Sequence, residues 1–200
     1  MERLVSGAPT RRTLLNTGAG LVAAATLPGF LAHGALAAET YPPIGTYPAG
    51  SAGDSVFIGI SVPRTGTYAV QGEDELKGYL LAIEHINAGD PLIKKISPRT
   101  TKGVLGKQLK YGVADSEAKP NTAVQAQSRF ISEDKAVLFT GSTSSAVAVA
   151  LNKLAQREKV VYVTGISGSN DTTGKDCVRY GFRQCFYGEM AANAIGPVIV

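Results

Sequence analysis

Two runs of hydroxyl side chains each follow an apolar segment that ends in Thr-Gly. Val137–Gly141 precedes Ser142–Ser145, and Val161–Gly165 precedes Ile166–Ser169. Hydroxyls donate and accept hydrogen bonds, and glycine lets the backbone come close to a ligand. The first run also opens a predicted helix, whose unpaired N–H groups favour an anion such as a carboxylate. Ser142 or Thr143 acting simply as the cap of this helix explains the pattern equally well, so the residues alone leave both interpretations open.

A third segment that could contact a ligand is the loop Pro63–Gly72, which follows the first apolar run. It offers Tyr68 and Gln71 at the same rim as the two hydroxyl runs. In open α/β sheets, ligands bind beyond the carboxyl ends of the strands. Each of these two side chains is equally consistent with packing inside the loop.

Enzymatic chemistry has less support. The serine runs do not match G-x-S-x-G, and the glycine loops match neither dinucleotide-binding nor P-loop spacing. A serine nucleophile needs a base within hydrogen-bond reach, and the only candidate histidine is His85 on a predicted helix. We interpret the run Glu73–Glu75 as the acidic start of that helix and not as an acid/base pair.

The elements that position these residues alternate between strand and helix. Strands are predicted at 56–62, 109–113, 136–140 and 160–164, and helices around 76–86, from Pro120 to about Asp134, and at 144–157. Gly89 and Pro91 are expected to end the first helix, with a loop behind them. Apolar runs without polar alternation suit strands covered on both faces. The predicted fold class is therefore α/β, a doubly wound parallel sheet whose strand order the sequence does not indicate.

The first 37 residues indicate an exported protein. An Arg11-Arg12 pair precedes a short, weakly apolar stretch, and Ala35-Leu36-Ala37 fits a signal-peptidase site. The arginine pair followed by two leucines resembles a twin-arginine leader. We expect cleavage near Ala37 and a periplasmic location, with residues 38–54 as a Pro/Gly-rich linker.

The composition of the chain limits the classes of partner that are expected. The chain has 200 residues and a net charge of +4, and part of that charge lies in the leader. Because no basic cluster with interleaved aromatic residues remains, nucleic acid is not expected as a partner. Cys177 and Cys185 in an exported chain favour a disulfide, with two free thiols as the alternative. No metal site is expected, since too few ligand residues accompany them.

From Val56 to Val200 the sequence resembles the first lobe of the periplasmic leucine/isoleucine/valine-binding family, the solute-binding proteins of ABC importers. The order of several loose motifs carries the resemblance: the Pro63–Gly72 loop, Ala82–Asn87, Gly103–Leu109, Asp115, Pro120–Ala123, Gly141–Ser145 and Phe182-Arg183.

The resemblance implies two α/β lobes with a solute held between them, and it implies roles for individual residues. Ser144 and Ser145 would hold the α-carboxylate of the solute. Ile166, Ser167 and Ser169 would line the same cleft. Gln71 would approach the solute from the first loop, and Tyr187 would lie near the crossing into the second lobe. Gly168 stands where relatives often have a hydroxyl residue, which moves the expected ammonium contact to Ser169 or removes it.

The implied domain plan places the first lobe at 55–186 and the start of the crossover at 187–200, where the chain stops without a polar ending. We therefore expect a truncated sequence without its second lobe. The implied protein is a monomeric, non-enzymatic binding protein without a cofactor. It would capture an amino acid or a related amide or acid and deliver it to an ABC permease. A secreted α/β hydrolase and a ligand sensor for a membrane receptor are the alternatives.

Overall fold

A computed structural model describes residues 50–98 and 100–199. The predicted signal peptide lies outside the described residues, as does the predicted linker up to residue 49. The described elements are five strands and five helices, joined by one short 3-10 turn. In chain order they are β1 Ser55–Val62, α1 Ala69–Ala88, α2 Pro91–Ile96, β2 Gln108–Asp115, α3 Pro120–Ser132, β3 Leu138–Gly141, α4 Ser145–Glu158, β4 Val161–Thr164, the turn Asn170–Thr172, β5 Gly181–Arg183 and α5 Gly188–Ile199.

All five strands form one parallel sheet in the order β2-β1-β3-β4-β5. The order reverses between β1 and β3, which pair directly, so the connections leave the sheet in opposite directions at this point. Such a switch point opens a crevice beyond the carboxyl ends of the two strands. In this sheet the switch point lies between β1 and β3.

Helices cover both faces of the sheet, which confirms the predicted doubly wound fold. One face packs α3 and α4 against β3 and β4 around Phe139 and Tyr162, whose rings stack at 5.1 Å. The other face packs Leu76 and Ile83 of α1 against Ile60 and other residues of β1 and β2. Burial on both faces explains why the strand segments are apolar without alternation.

Two features differ from the sequence expectations. Gly89 ends α1 in the left-handed conformation (φ +68°), as predicted, but a second short helix begins directly afterwards at Pro91. Proline suits the first helical position, and the Asp90 carboxylate accepts a hydrogen bond from the N–H of Leu92 at 2.8 Å. The strand β5 was also not predicted, because three residues are too few to give a periodic signal. None of the helices in the described ranges is long and apolar enough to span a membrane.

Candidate functional site

Three connections meet at the carboxyl edge of the sheet. Ser61, Gly141 and Thr164 stand in register on β1, β3 and β4. The N–H of Ser142 donates to the carbonyl of Ser61 (3.0 Å), and the N–H of Gly165 donates to that of Gly141 (3.0 Å). The chain segments that follow β1, β3 and β4 therefore begin side by side.

The connection after β3 is built by backbone conformations that few residues adopt. Gly141 has φ +114°, and a Cβ there would lie 2.1 Å from the carbonyl oxygen of Ser61. Ser142 also has positive φ (+87°), is buried, and donates through Oγ to the carbonyl of Ser144 at 2.6 Å. This tight turn aims the N-terminus of α4 at the edge of the sheet.

The N-terminus of α4 carries no side-chain cap. Ser144 occupies the N-cap position in an extended conformation, but its hydroxyl makes no cap hydrogen bond, and Ser145 is the first helical residue. Both serines are half-buried. Ser142 and Thr143, the two candidate caps, lie before the N-cap position, and their hydroxyls donate to the carbonyl of Ser144 and to the carboxyl group of Glu75. Within the described part of the chain, the first N–H groups of α4 therefore have no side-chain cap.

The connection after β4 is held from behind by Arg183 of β5. Its Nη1 donates to the carbonyl of Ser167 (2.9 Å) and its Nη2 donates to that of Ser169, while the guanidinium lies 5.9 Å from the ring centroid of Tyr187. Ser167 is 1 % exposed, and its hydroxyl has no hydrogen-bond partner among the described residues. Buried hydroxyls are normally paired, so this hydroxyl is an exception at the edge of the sheet.

The largest omission of the sequence interpretation is Glu75. The helix α1 begins at Ala69, so this residue lies in the second turn and not at an acidic helix start. Its carboxylate contacts the Tyr79 hydroxyl (2.9 Å) and the Thr143 hydroxyl (3.1 Å), and it accepts a hydrogen bond from the N–H of Ile166. Burial raises the pKa of Glu75 above its usual range, although these hydrogen bonds oppose the shift. One carboxyl group thereby joins α1 to the connections after β3 and β4.

The sequence did contain a signal for this position. Glu75 precedes Tyr79 by four residues and follows Gly72 by three, and both of these neighbours belong to the inward face of the helix. Gly165 supplies the matching space directly after β4, since a Cβ there would lie 1.7 Å from Oε1 of Glu75.

The remaining predicted site residues lie at the same edge of the sheet but differ in exposure and in hydrogen bonding. Ile166 is exposed and Tyr187 is half-buried beside Arg183. Ser169 accepts a hydrogen bond at Oγ from the N–H of Asp171 (3.2 Å) and so starts the 3-10 turn. Gln71 was predicted in a loop, but it is an exposed residue in the first turn of α1.

The predicted disulfide is not formed. Cys177 and Cys185 are both free thiols. Cys177 is exposed before β5, and the Sγ of Cys185 lies 3.6 Å from the carbonyl oxygen of Ser167 after β5. The strand β5 lies between them along the chain.

His85 cannot serve the serines as a base from its observed place. It lies in the last turn of α1, and a helix of this length spans about 30 Å. The helix starts beside the carboxyl edge of the sheet, so its last turn is at the opposite edge from Ser144. Among the described residues, no cluster of histidine, cysteine, aspartate and glutamate could hold a metal ion.

Comparison with known proteins identifies the family. The sequence profile of the periplasmic binding protein family matches residues 55–200. The chain belongs to that family. A curated relative, an amino acid binding protein of Pseudomonas aeruginosa, is 26 % identical over 145 residues, covering 72 % of this chain and 35 % of the relative.

Solved structures of family members share the fold. A periplasmic binding protein of Burkholderia mallei has a TM-score of 0.59 at 24 % identity, covering 73 % of this chain and 36 % of that one. The isoleucine complex of LivJ from Streptococcus pneumoniae gives 0.57 at 22 % identity, covering 71 % and 38 %. A benzoate complex of a solute-binding protein from R. palustris gives 0.58 at 23 %, covering 72 % and 36 %. The chain thus spans little more than a third of the length of these relatives.

Proposed function

We propose that this chain supplies the N-terminal lobe of a solute-binding protein that serves an ABC importer. The observation that carries the proposal is the uncapped N-terminus of α4, beside the switch point of the sheet. Its first N–H groups and its dipole attract an anion. The buried hydroxyl of Ser167, which has no hydrogen-bond partner in the described part of the chain, is a second polar group at the same edge.

Ser144 and Ser145 are the residues to which we assign the anionic end of the solute. Ile166, Ser167 and Ser169 line the wall after β4, Gln71 lies at the start of α1, and Tyr187 stands where the chain leaves the lobe. Two of the solved structures named above are complexes, one with isoleucine and one with benzoate. Both compounds carry a carboxylate, which supports a small amino acid or a related acid as the solute class.

The mechanism that suits this arrangement is capture by closure of two lobes. Residues 55–186 form the first lobe, and 187–200 begin the crossover into a second. A solute that contacts both lobes only in the closed state stabilises that state by its differential affinity. The closed protein then presents the solute to a membrane permease. No step requires a cofactor or a covalent intermediate.

Titration calorimetry of the full-length protein against amino acids, amides and aromatic acids tests this proposal. Ser144→Ala and Ser145→Ala should each weaken binding of the best carboxylate solute by about tenfold, the effect of one lost hydrogen bond to a charged group. Ser132→Ala is the matched control, because Ser132 is exposed at the C-terminus of α3. Binding that is unchanged in both site variants refutes the proposed site, and a full panel without any bound solute refutes the function.

We also propose that residues 1–37 export the protein to the periplasm through the twin-arginine route. Fusion of residues 1–40 to a reporter, with Arg11 and Arg12 replaced by lysine, tests the route. Export should stop in the double variant. Unchanged export excludes dependence on the arginine pair.

A further inference from the structure

An unbroken row of oxygen atoms connects Glu75 to the backbone of β4. Oε1 of Glu75 lies 2.9 Å from the Tyr79 hydroxyl, which lies 3.0 Å from Oγ1 of Thr140. This Oγ1 in turn lies 2.8 Å from the carbonyl oxygen of Val163. All three separations are hydrogen-bond distances between oxygens.

The three hydrogen bonds in this row need one proton each. Tyr79 and Thr140 supply one each, and the carbonyl supplies none. With an ionised Glu75, one contact brings together two oxygens without a proton between them. With a proton on Oε1, Glu75 donates to Tyr79, Tyr79 to Thr140, and Thr140 to Val163, so every contact is satisfied.

The other side of the carboxyl group accepts hydrogen bonds, which by themselves favour the ionised form but which the carbonyl oxygen of a neutral acid can also accept. Oε2 accepts from the Thr143 hydroxyl (3.1 Å), and the N–H of Ile166 is a second donor to the carboxyl group. The titratable groups that face Glu75 are the phenols of Tyr79 on α1 and Tyr162 on β4. Among residues 50–98 and 100–199, no cation is one of the groups that shift the pKa of Glu75.

The surroundings favour the neutral form for a separate reason. Burial is the largest influence on Glu75 and raises its pKa, against the opposing hydrogen bonds. The neighbouring acidic residues on α1 are already paired on the surface, Glu73 with Arg64 and Asp74 with Lys77.

We propose that Glu75 is a positioning residue that holds the connections after β3 and β4 together as a protonated carboxylic acid. A neutral group here leaves the adjacent N-terminus of α4 free to bind a carboxylate without repulsion from a like charge. This last step rests on the proposed function, whereas the protonation and its structural role do not.

Unfolding of the full-length protein as a function of pH tests the protonation without any solute. A native acid with a raised pKa binds protons that the unfolded chain has lost. Its contribution to stability is therefore complete below about pH 4.3, the ordinary value for glutamate, and is lost as the pH rises through the native pKa. In Glu75→Gln the amide nitrogen replaces the protonated oxygen as donor to Tyr79. This variant should unfold at a midpoint close to wild type at low pH and lack the decline at higher pH.

Glu75→Ala separates a proton-dependent role from simple packing, because it removes the donor and both acceptors. It should be less stable than Glu75→Gln at every pH. The proposal would be overturned if the stabilities of the wild type and Glu75→Gln changed in parallel with pH. It would also be overturned if Glu75→Gln and Glu75→Ala lost the same amount of stability.

Solute binding gives the second readout, with isoleucine and benzoate as probes. Wild-type affinity should decline above the native pKa of Glu75, by at most about tenfold per pH unit for one linked proton, whereas the affinity of Glu75→Gln should stay flat. Equal pH dependence in both proteins would overturn the coupling to the solute. If neither probe nor any other solute binds, the proposed function fails, while the unfolding experiment still decides the state of Glu75.

Discussion

Replacement of Gly165 by alanine should destabilise the protein through Glu75. The added Cβ would lie 1.7 Å from Oε1 of Glu75 and 2.9 Å from the Tyr79 hydroxyl, so the carboxyl group has to move. A flexible side chain can rotate away, but here rotation breaks its hydrogen bonds to Tyr79, Thr143 and Ile166.

The expected loss follows from the number of bonds. A net contribution of about 1 kcal/mol per hydrogen bond gives about 3 kcal/mol for three, and partial relaxation widens the range to about 2–4 kcal/mol. Gly168→Ala is the matched control in the same connection, since a Cβ at Gly168 meets no atom within 4 Å. Its stability should lie within about 0.5 kcal/mol of wild type.

Urea unfolding of both variants measures the difference in their free energies of unfolding. A double-mutant cycle then tests whether the loss arises from contact with Glu75, because in a Glu75→Ala background the added methyl group at Gly165 meets no carboxyl group. There the alanine substitution at Gly165 should cost less than about 1 kcal/mol. Equal stability of the Gly165 and Gly168 variants would refute the reasoning, as would a Gly165→Ala loss that is undiminished without the Glu75 carboxyl group.

Three further substitutions test the frame around the edge of the sheet. Asn152→Ala should cost about 2–4 kcal/mol in urea unfolding, because the buried amide of Asn152 donates to two backbone carbonyls after β4, at 2.7 and 3.2 Å; the exposed neighbour Lys153→Ala should cost almost nothing. Asp115→Asn should be less stable than wild type at pH 7, with a gap that narrows towards pH 3. Burial would raise the pKa of Asp115, but the hydrogen bonds from the residues after β1 and from Glu117 outweigh it and lower the pKa, so its stabilising effect is lost only as the pH falls through the native value. Arg183→Met should weaken solute binding more than stability, because the guanidinium holds two carbonyls of the β4 connection; a fall in stability with unchanged affinity would assign Arg183 to the fold alone.

The periodic parts of the chain made much of the fold predictable. The apolar runs at β1, β2, β3 and β4 and the helical spacing of Leu76, Tyr79 and Ile83 indicate the α/β class directly, because burial of one face or both sets these patterns. The strand order could not be predicted, since nothing local records which strands pair.

The candidate site was predictable only where its residues follow a strand. Ser144 and Ser167 stand directly behind predicted strand ends, and the structure brings their connections together. Gln71 and Glu75 were misplaced because the sequence does not show where α1 begins. The helix starts at Ala69, and its N-cap residue Tyr68 makes no side-chain cap hydrogen bond. The cysteine spacing was equally uninformative, because it does not reveal that β5 separates the two thiols.

A crystal structure of the full-length protein with its tightest-binding carboxylate solute is the most direct measurement of the central claim. The account predicts that the solute carboxylate accepts hydrogen bonds from Ser144, Ser145 or the first N–H groups of α4, with Ser167 at the same cleft. A carboxylate bound away from the N-terminus of α4, with both serines facing solvent, would contradict it.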